Sequence, residues 1–285
     1  IKPHYAAYNN MGNALREQGK PEQAIEAYNK ALEIKPDYAI LLSNFLNLEV
    51  QLRDSKNIHR YSQNTSYKQN KELQQSPKFQ VLKAIQSFLD ADKKLTRQYL
   101  KKYNCLDLKL IESLASKDKV FCSAYSYFLD KLIAQPFYKH FSNNNDKIYH
   151  IGESHCLSYA HQFININGTD HLIVPKITFG AKTFHFSRKS NDEFKAITQA
   201  NFDSIPARSN VLISFGEIDC RPSEGFISAA NKLNKSLENL ISETVRGYLT
   251  WFAEQNSKKK HNLIFFNVPA PVYNTKYCKK VNHKV

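Results

Sequence analysis

No C-x-x-C pair occurs among the five cysteines of this 285-residue chain. Cys105, Cys122, Cys156, Cys220 and Cys278 are odd in number and widely spread, a pattern that suggests neither a disulfide framework nor a zinc site. Thiols without partners fit a reducing compartment, so a cytoplasmic location is expected. No run of about 18 apolar residues exists, which excludes a membrane-spanning helix. There is also no compact Arg-rich stripe. The formal net charge is +14, but its lysines are scattered and fit a compositional bias, so no nucleic-acid partner is expected. No signal peptide is visible. That absence says little, because the chain starts at Ile1 without Met and inside a repeat-like pattern.

What is present suffices for packed cores: 42% hydrophobic residues and 12% aromatics, at a length that favours about two domains. The first sign of organisation is self-similarity, since IKPHYA at 1–6 recurs as IKPDYA at 34–39. Between them lie Tyr8, Met11-Gly12, Leu15, Ala24, Tyr28, Ala31 and Pro36, with a Gly19-Lys20-Pro21 turn. Gly12 and Ala24 are small enough for two antiparallel helices to approach, while Tyr8, Leu15 and Tyr28 fill the space around them. Pro21 suits the first turn of the second helix. This pattern resembles the tetratricopeptide repeat. Residues 39–52 continue as the first helix of a next repeat, with Leu46 where Gly would stand, and so read as a capping or decayed helix. One repeat cannot bury its own face, so further repeats are expected before Ile1. The resemblance implies a protein partner for residues 1–52, of unknown identity.

Residues 53–146 read as a helical linker region. A polar stretch to 78 precedes apolar spacing of helical period from Phe79 to Leu100, then helices near 106–115 and 120–133. Asn143-Asn144-Asn145-Asp146 marks a turn-rich boundary, and the isolated His59 and His140 carry no chemistry.

From 147 to 285 the pattern alternates between strand and helix. Strands are expected at 147–151, 171–174 (with 183–186 as a further candidate), 211–215 and 263–268, and helices at 155–165, 191–201 and 225–257. Continuous apolar runs such as VLISF and LIFFNV indicate strands buried on both faces of a parallel sheet. In such sheets sites form at the C-terminal strand ends. Gly152-Glu153-Ser154-His155, Gly216-Glu217-Ile218-Asp219 and Val268-Pro269-Ala270-Pro271 all fall at such ends.

The first two of these loops carry a second resemblance. Ile-Gly-Glu-Ser-His after a strand is similar to the first block of the SGNH/GDSL hydrolases, and Phe-Gly-Glu-Ile-Asp to their third block. Gly180 lies where the second-block glycine falls. The resemblance covers about residues 147–273 and implies a three-layer α/β/α domain with a mainly parallel sheet. The fold class expected for the chain is therefore α + α/β. It also implies Ser154 as nucleophile, Gly180 as oxyanion donor, Asp219 as the third-block match, and an acyl ester or acylated glycan as substrate, with no cofactor and no metal.

The family's oxyanion Asn is replaced by Ile218, and no Asp-x-x-His appears before Val285. Losing an oxyanion donor costs about 10²–10³ in rate, and a serine without a base is a poor nucleophile. A chain that continues beyond Val285 is the expected reason for the missing base. Glu153, Glu217 and Arg221 are candidate substrate-binding residues. Arg221 suits bidentate capture of an anion, and equally an ion pair with Glu217. His155 reads as a packing residue that points away from Ser154 on a helix. For His150 and His185 no i, i+4 pair supports a metal. The competing function is a protein-interaction scaffold whose α/β unit is degenerate and non-catalytic.

Overall fold

The computed structural model describes residues 4–54, 71–135 and 147–266. The Asn143–Asp146 boundary, His59, His140, Cys278 and the VPAP segment lie outside the described residues.

Helices α1 (Tyr5–Glu17) and α2 (Pro21–Ile34) form an antiparallel pair. The spacing required by their contact explains Gly12, because a Cβ there would stand 2.4 Å from the Tyr28 ring. Tyr28 is fully buried and donates its hydroxyl to Asn13 Oδ1 at 2.7 Å. Gly19, at φ +71°, turns the chain between the two helices. Helix α3 (Ala39–Gln51) places Leu41, Leu42, Phe45 and Leu46 in the core, where they meet α5 (Pro77–Leu89). A buried leucine therefore occupies the position at which a further repeat would need glycine.

Helix α5 buries nearly every side chain, so it sits at the centre of the helical half. Around it lie α4 (Lys71–Gln74), α6 (Lys93–Asn104), α7 (Leu108–Glu112) and the 19-residue α8 (Ser116–Ala134). Cys122, Tyr125, Leu129, Leu132 and Ile133 make the inward stripe of α8.

The second half is a mixed five-stranded sheet of order β2-β3-β1-β4-β5. Its strands are β1 (Lys147–Gly152), β2 (Phe163–Ile166), β3 (Thr169–Ile177), β4 (Asn210–Ser214) and β5 (Asn262–Phe265). β3, β1, β4 and β5 run parallel, and β2 pairs antiparallel with β3. The antiparallel edge comes from Asn167-Gly168, whose φ values of 52° and 82° make a hairpin turn that only such residues adopt easily.

Three expectations are corrected here. The helix expected at 155–165 is a 3-10 turn over Ser154–Leu157, after which His161 at φ 61° redirects the chain into the hairpin. The candidate strand at 183–186 is helix α9 (Thr183–Ser187), whose first amides are held by Asp219. The long helix at 225–257 is two, α11 (Phe226–Leu233) and α12 (Leu237–Lys259), split where Asn234 turns left-handed and Ser236 starts a new cap. Helix α10 (Glu193–Asp203) completes the set.

Two cores hold these parts together. One runs from α2 through α3, α5 and α8 to Cys156, Leu157, Ala160, Ile177 and Ile197, so the helical half and the sheet share buried surface. The other joins Ile151, Val211 and Ile213 on one sheet face to Phe186, Phe202, Tyr248 and Phe252. Polar links cross the same boundary. Arg16 pairs with Glu193 at 2.8 Å, Lys176 with Asp54 at 2.6 Å, and Gln51 Oε1 accepts from the Phe179 amide at 2.8 Å.

Candidate functional site at the end of the first strand

From β1 the chain travels to one side to form β3, then returns to form β4 on the other side. Loops that diverge in this way leave a crevice at the C-terminal strand ends, where open α/β sheets bind their ligands. Residues 153–155 follow β1 and residues 215–221 follow β4, so both loops border that crevice. Gly152 permits the tight closure beneath it. It pairs in register with Ser214, and a Cβ on Gly152 would lie 2.4 Å from Ser214 Oγ and 2.6 Å from its carbonyl oxygen.

Glu153 is the hub of the site. It is almost wholly buried and accepts two side-chain hydrogen bonds: Ser154 Oγ donates to Oε2 at 2.6 Å, and His155 Nδ1 lies 2.6 Å from Oε1. Burial pushes the carboxyl up, but the bonds from His155 and Ser154 outweigh it and hold the pKa below its ordinary 4.5. The same contact raises His155 above its ordinary 6.5, against the opposing effect of burial. Because Glu153 is ionised, Nδ1 of His155 carries the proton, and Nε2 of the neutral ring is left as an acceptor.

Ser154 and His155 share a cavity of about 140 Å³ with Ala124, Tyr125 and Phe128 of α8. Tyr125 interacts through its hydroxyl with the Ser154 side chain, and burial pushes that hydroxyl well above its ordinary 10. Its ring meets Phe179 edge-on at 5.3 Å. A larger cavity of about 880 Å³ lies apart from these residues, between the segment after α9 and helix α12.

Glu217 and Arg221 form the ion pair that their spacing allowed. Nε and Nη2 of Arg221 grip the Glu217 carboxylate at 2.7–3.0 Å, while Nη1 bonds Glu224 at 2.8 Å. Glu153, His155 and Glu217 each offer one ligand atom, all within 4.8 Å of one another. Two carboxylates and an imidazole suit a divalent cation. Here their charges are already compensated, Glu217 by Arg221 and Glu153 by His155.

Asp219 stands apart from Ser154. Nearly fully buried, it accepts from the Thr183 amide at 2.7 Å and the Phe184 amide at 3.2 Å. It thereby fixes the start of α9, a few residues beyond Gly180. Burial raises its pKa. Gly180 itself sits at φ +70° in the turn after β3, where an added Cβ would lie 3.9 Å from the Phe194 ring. Among the described residues, no protein acceptor takes the Ser154 or Gly180 amide. Ile218 is buried against the core.

His150 lies beneath the site, its Nε2 2.8 Å from Ser214 Oγ and its Nδ1 without a partner among the described residues. Burial lowers its pKa to about 4, so it is neutral near pH 7.

Reading the sequence missed two members of this site. His155 was placed on a helix, where it would turn away from Ser154, but the 3-10 turn keeps both on one cavity. The available signal was the i, i+2 spacing of Glu153 and His155. For Tyr125 no local signal existed.

The α1–α2 pair belongs to the class of helical hairpins that stack into protein-interaction scaffolds. Residues 5–38 match the tetratricopeptide repeat, and the match ends before α3. No curated protein and no solved structure matches the chain. Among the described residues, no helix is long and apolar enough to cross a membrane.

Proposed function

We propose that the α/β unit is a serine-type acyl-ester hydrolase, with Ser154 as nucleophile and the Glu153–His155 pair as its acid–base machinery, carried on a repeat that binds a partner protein. The observation that supports this most is the single carboxylate of Glu153 holding both neighbours at 2.6 Å beside one cavity. Glu153 is a poor base, since its pKa lies below the ordinary value. His155, raised by the same contact, is the group that can take a proton near neutral pH.

In this reading the Ser154 hydroxyl turns from Glu153 and gives its proton to His155 Nε2 as its oxygen bonds the ester carbonyl carbon. The free amides of Ser154 and Gly180 are the oxyanion donors. Collapse breaks the ester C–O bond, and the leaving alkoxide takes the proton from His155. Water then repeats the sequence and frees the acid and Ser154. Glu153 steadies the transient imidazolium throughout. An acylated glycan is the substrate form that fits the family resemblance.

A fluorophosphonate probe tests the reading. Labelling of the full chain that Ser154→Ala abolishes is the expected result, and equal labelling of both proteins removes Ser154 as nucleophile. The competing reading, an interaction scaffold with a non-catalytic α/β unit, draws on buried Ile218 in place of an oxyanion Asn and on the engagement of Arg221 by Glu217 and Glu224. Absence of labelling would favour it.

A further inference from the structure

The cavity on Ser154 is built by two halves of the chain. Its polar end is Ser154 and His155, at the end of β1. Its other walls come from one turn of α8: Ala124 and Phe128, four residues apart and so on one helix face, and the ring of Tyr125 between them. We propose that this cavity is the acyl pocket, and that α8 of the helical half restricts the hydrolase to esters of short acyl chains.

This inference rests on Ser154 being the nucleophile. Size carries the rest. The cavity holds about 140 Å³. Space of about 150 Å³ takes a ligand the size of benzene, so the volume these residues line, in a pocket whose mouth is open to solvent, seats an acyl group of roughly two to four carbons. The walls do not yield easily. Tyr125 is buried and wedged between Phe121, at 4.6 Å between ring centroids, and Phe179 at 5.3 Å. Moving it outward would disturb the core that joins the two halves. Ala124 is exposed, so it can be changed without opening that core, while Phe128 is half-buried and packs against it, so its variant is assayed under conditions where it remains folded.

The experiment is hydrolysis of p-nitrophenyl acetate, butyrate and octanoate by the full chain, corrected for the rate with Ser154→Ala. We expect kcat/KM to fall about tenfold or more from butyrate to octanoate. Phe128→Ala, which lengthens the pocket, is expected to raise the octanoate-to-butyrate ratio about tenfold. Ala124→Leu, which fills it, should lower the butyrate-to-acetate ratio by a similar factor. Ser154-dependent hydrolysis with ratios that move less than about twofold in both variants would overturn the pocket while leaving the hydrolase standing. If none of the three esters is cleaved in a Ser154-dependent way, the hydrolase reading fails and the pocket falls with it.

Discussion

His155 Nδ1 lies 2.6 Å from Glu153 Oε1, with Ser154 between them in the chain and bonded to the other oxygen of the same carboxylate. In the usual serine triad the imidazole stands between hydroxyl and carboxylate. Here the carboxylate stands between the other two. The arrangement therefore holds Ser154 and His155 apart on one shared anchor, and in the proposed mechanism a rotation of the Ser154 hydroxyl brings the two together.

The anchor gives the first prediction. Glu153→Gln keeps the shape and removes the charge, so His155 loses the partner that raises its pKa. Fluorophosphonate labelling of Ser154 is expected to slow by about 10²-fold or more, because the imidazolium is no longer stabilised. NMR titration of the His155 ring should show its pKa falling toward 6.5. An unchanged titration would mean that the Glu153 contact is absent in solution.

Stability should carry the signature of the same pair. The folded pKa of His155 is raised, so its contribution is fully present below its unfolded value near 6.5 and lost as pH rises through the folded value. The folded pKa of Glu153 is depressed, so its contribution is present above 4.5 and lost as pH falls through the folded value. Together they favour folding most between these limits. His150 and His185 oppose this trend, because burial lowers both to about 4 and each costs stability as pH falls below 6.5. The pair is therefore read from a difference. Urea midpoints of the wild type minus those of His155→Gln should be greatest near pH 5–6 and should shrink at pH 9.

Much of the repeat was legible in the sequence because its signal is local and periodic. Gly12, Ala24 and Tyr28 announce a helix pair at fixed spacing, and residues 5–38 match the family. The parallel strand of VLISF was legible too, as an apolar run without alternation, but LIFFNV is not buried on both faces as expected: β5 is an edge strand whose Ile264 and Phe265 are exposed. The segment after Ser154 was not read correctly. Its Leu157 and Ala160 are apolar at near-helical spacing, yet they pack against the helical half from a 3-10 turn and the bend that follows it. Asn167-Gly168 between two short runs is itself a hairpin signal, and the structure places the β2–β3 turn there. Tyr125 and Gln51 were beyond reach, because they meet the site from other elements, Gln51 across 128 residues of chain.

Gly152→Ala tests the closure under the site. The added Cβ meets Ser214 Oγ at 2.4 Å and the Ser214 carbonyl oxygen at 2.6 Å, and the second of these is backbone that cannot rotate away. Overpacking of this kind costs about 1–3 kcal/mol. The expected result is a urea midpoint lowered accordingly, with Ser214→Gly in the same chain restoring only part of the loss.

The last prediction concerns the repeat and the site together. Gln51, at the end of α3, accepts on its Oε1 from the Phe179 amide at 2.8 Å, while the preceding residue, Thr178, donates its amide to the Gly152 carbonyl at 2.8 Å. One side chain of the helical half thus holds the loop on which Gly180 sits, against the strand that ends just before Ser154. Gln51→Leu keeps comparable bulk but leaves the Phe179 amide without its acceptor, at a cost of about 1–3 kcal/mol. If the Gly180 amide is an oxyanion donor, loosening this loop should also slow labelling of Ser154 by about tenfold under conditions where the variant remains folded. Arg16→Ala is the control. It removes the ion pair with Glu193, on a different part of the same boundary, and is expected to lower the urea midpoint while leaving the labelling rate within about twofold. Equal effects of both variants on labelling would show that the rate follows overall stability, and the specific link from α3 to the site would be lost.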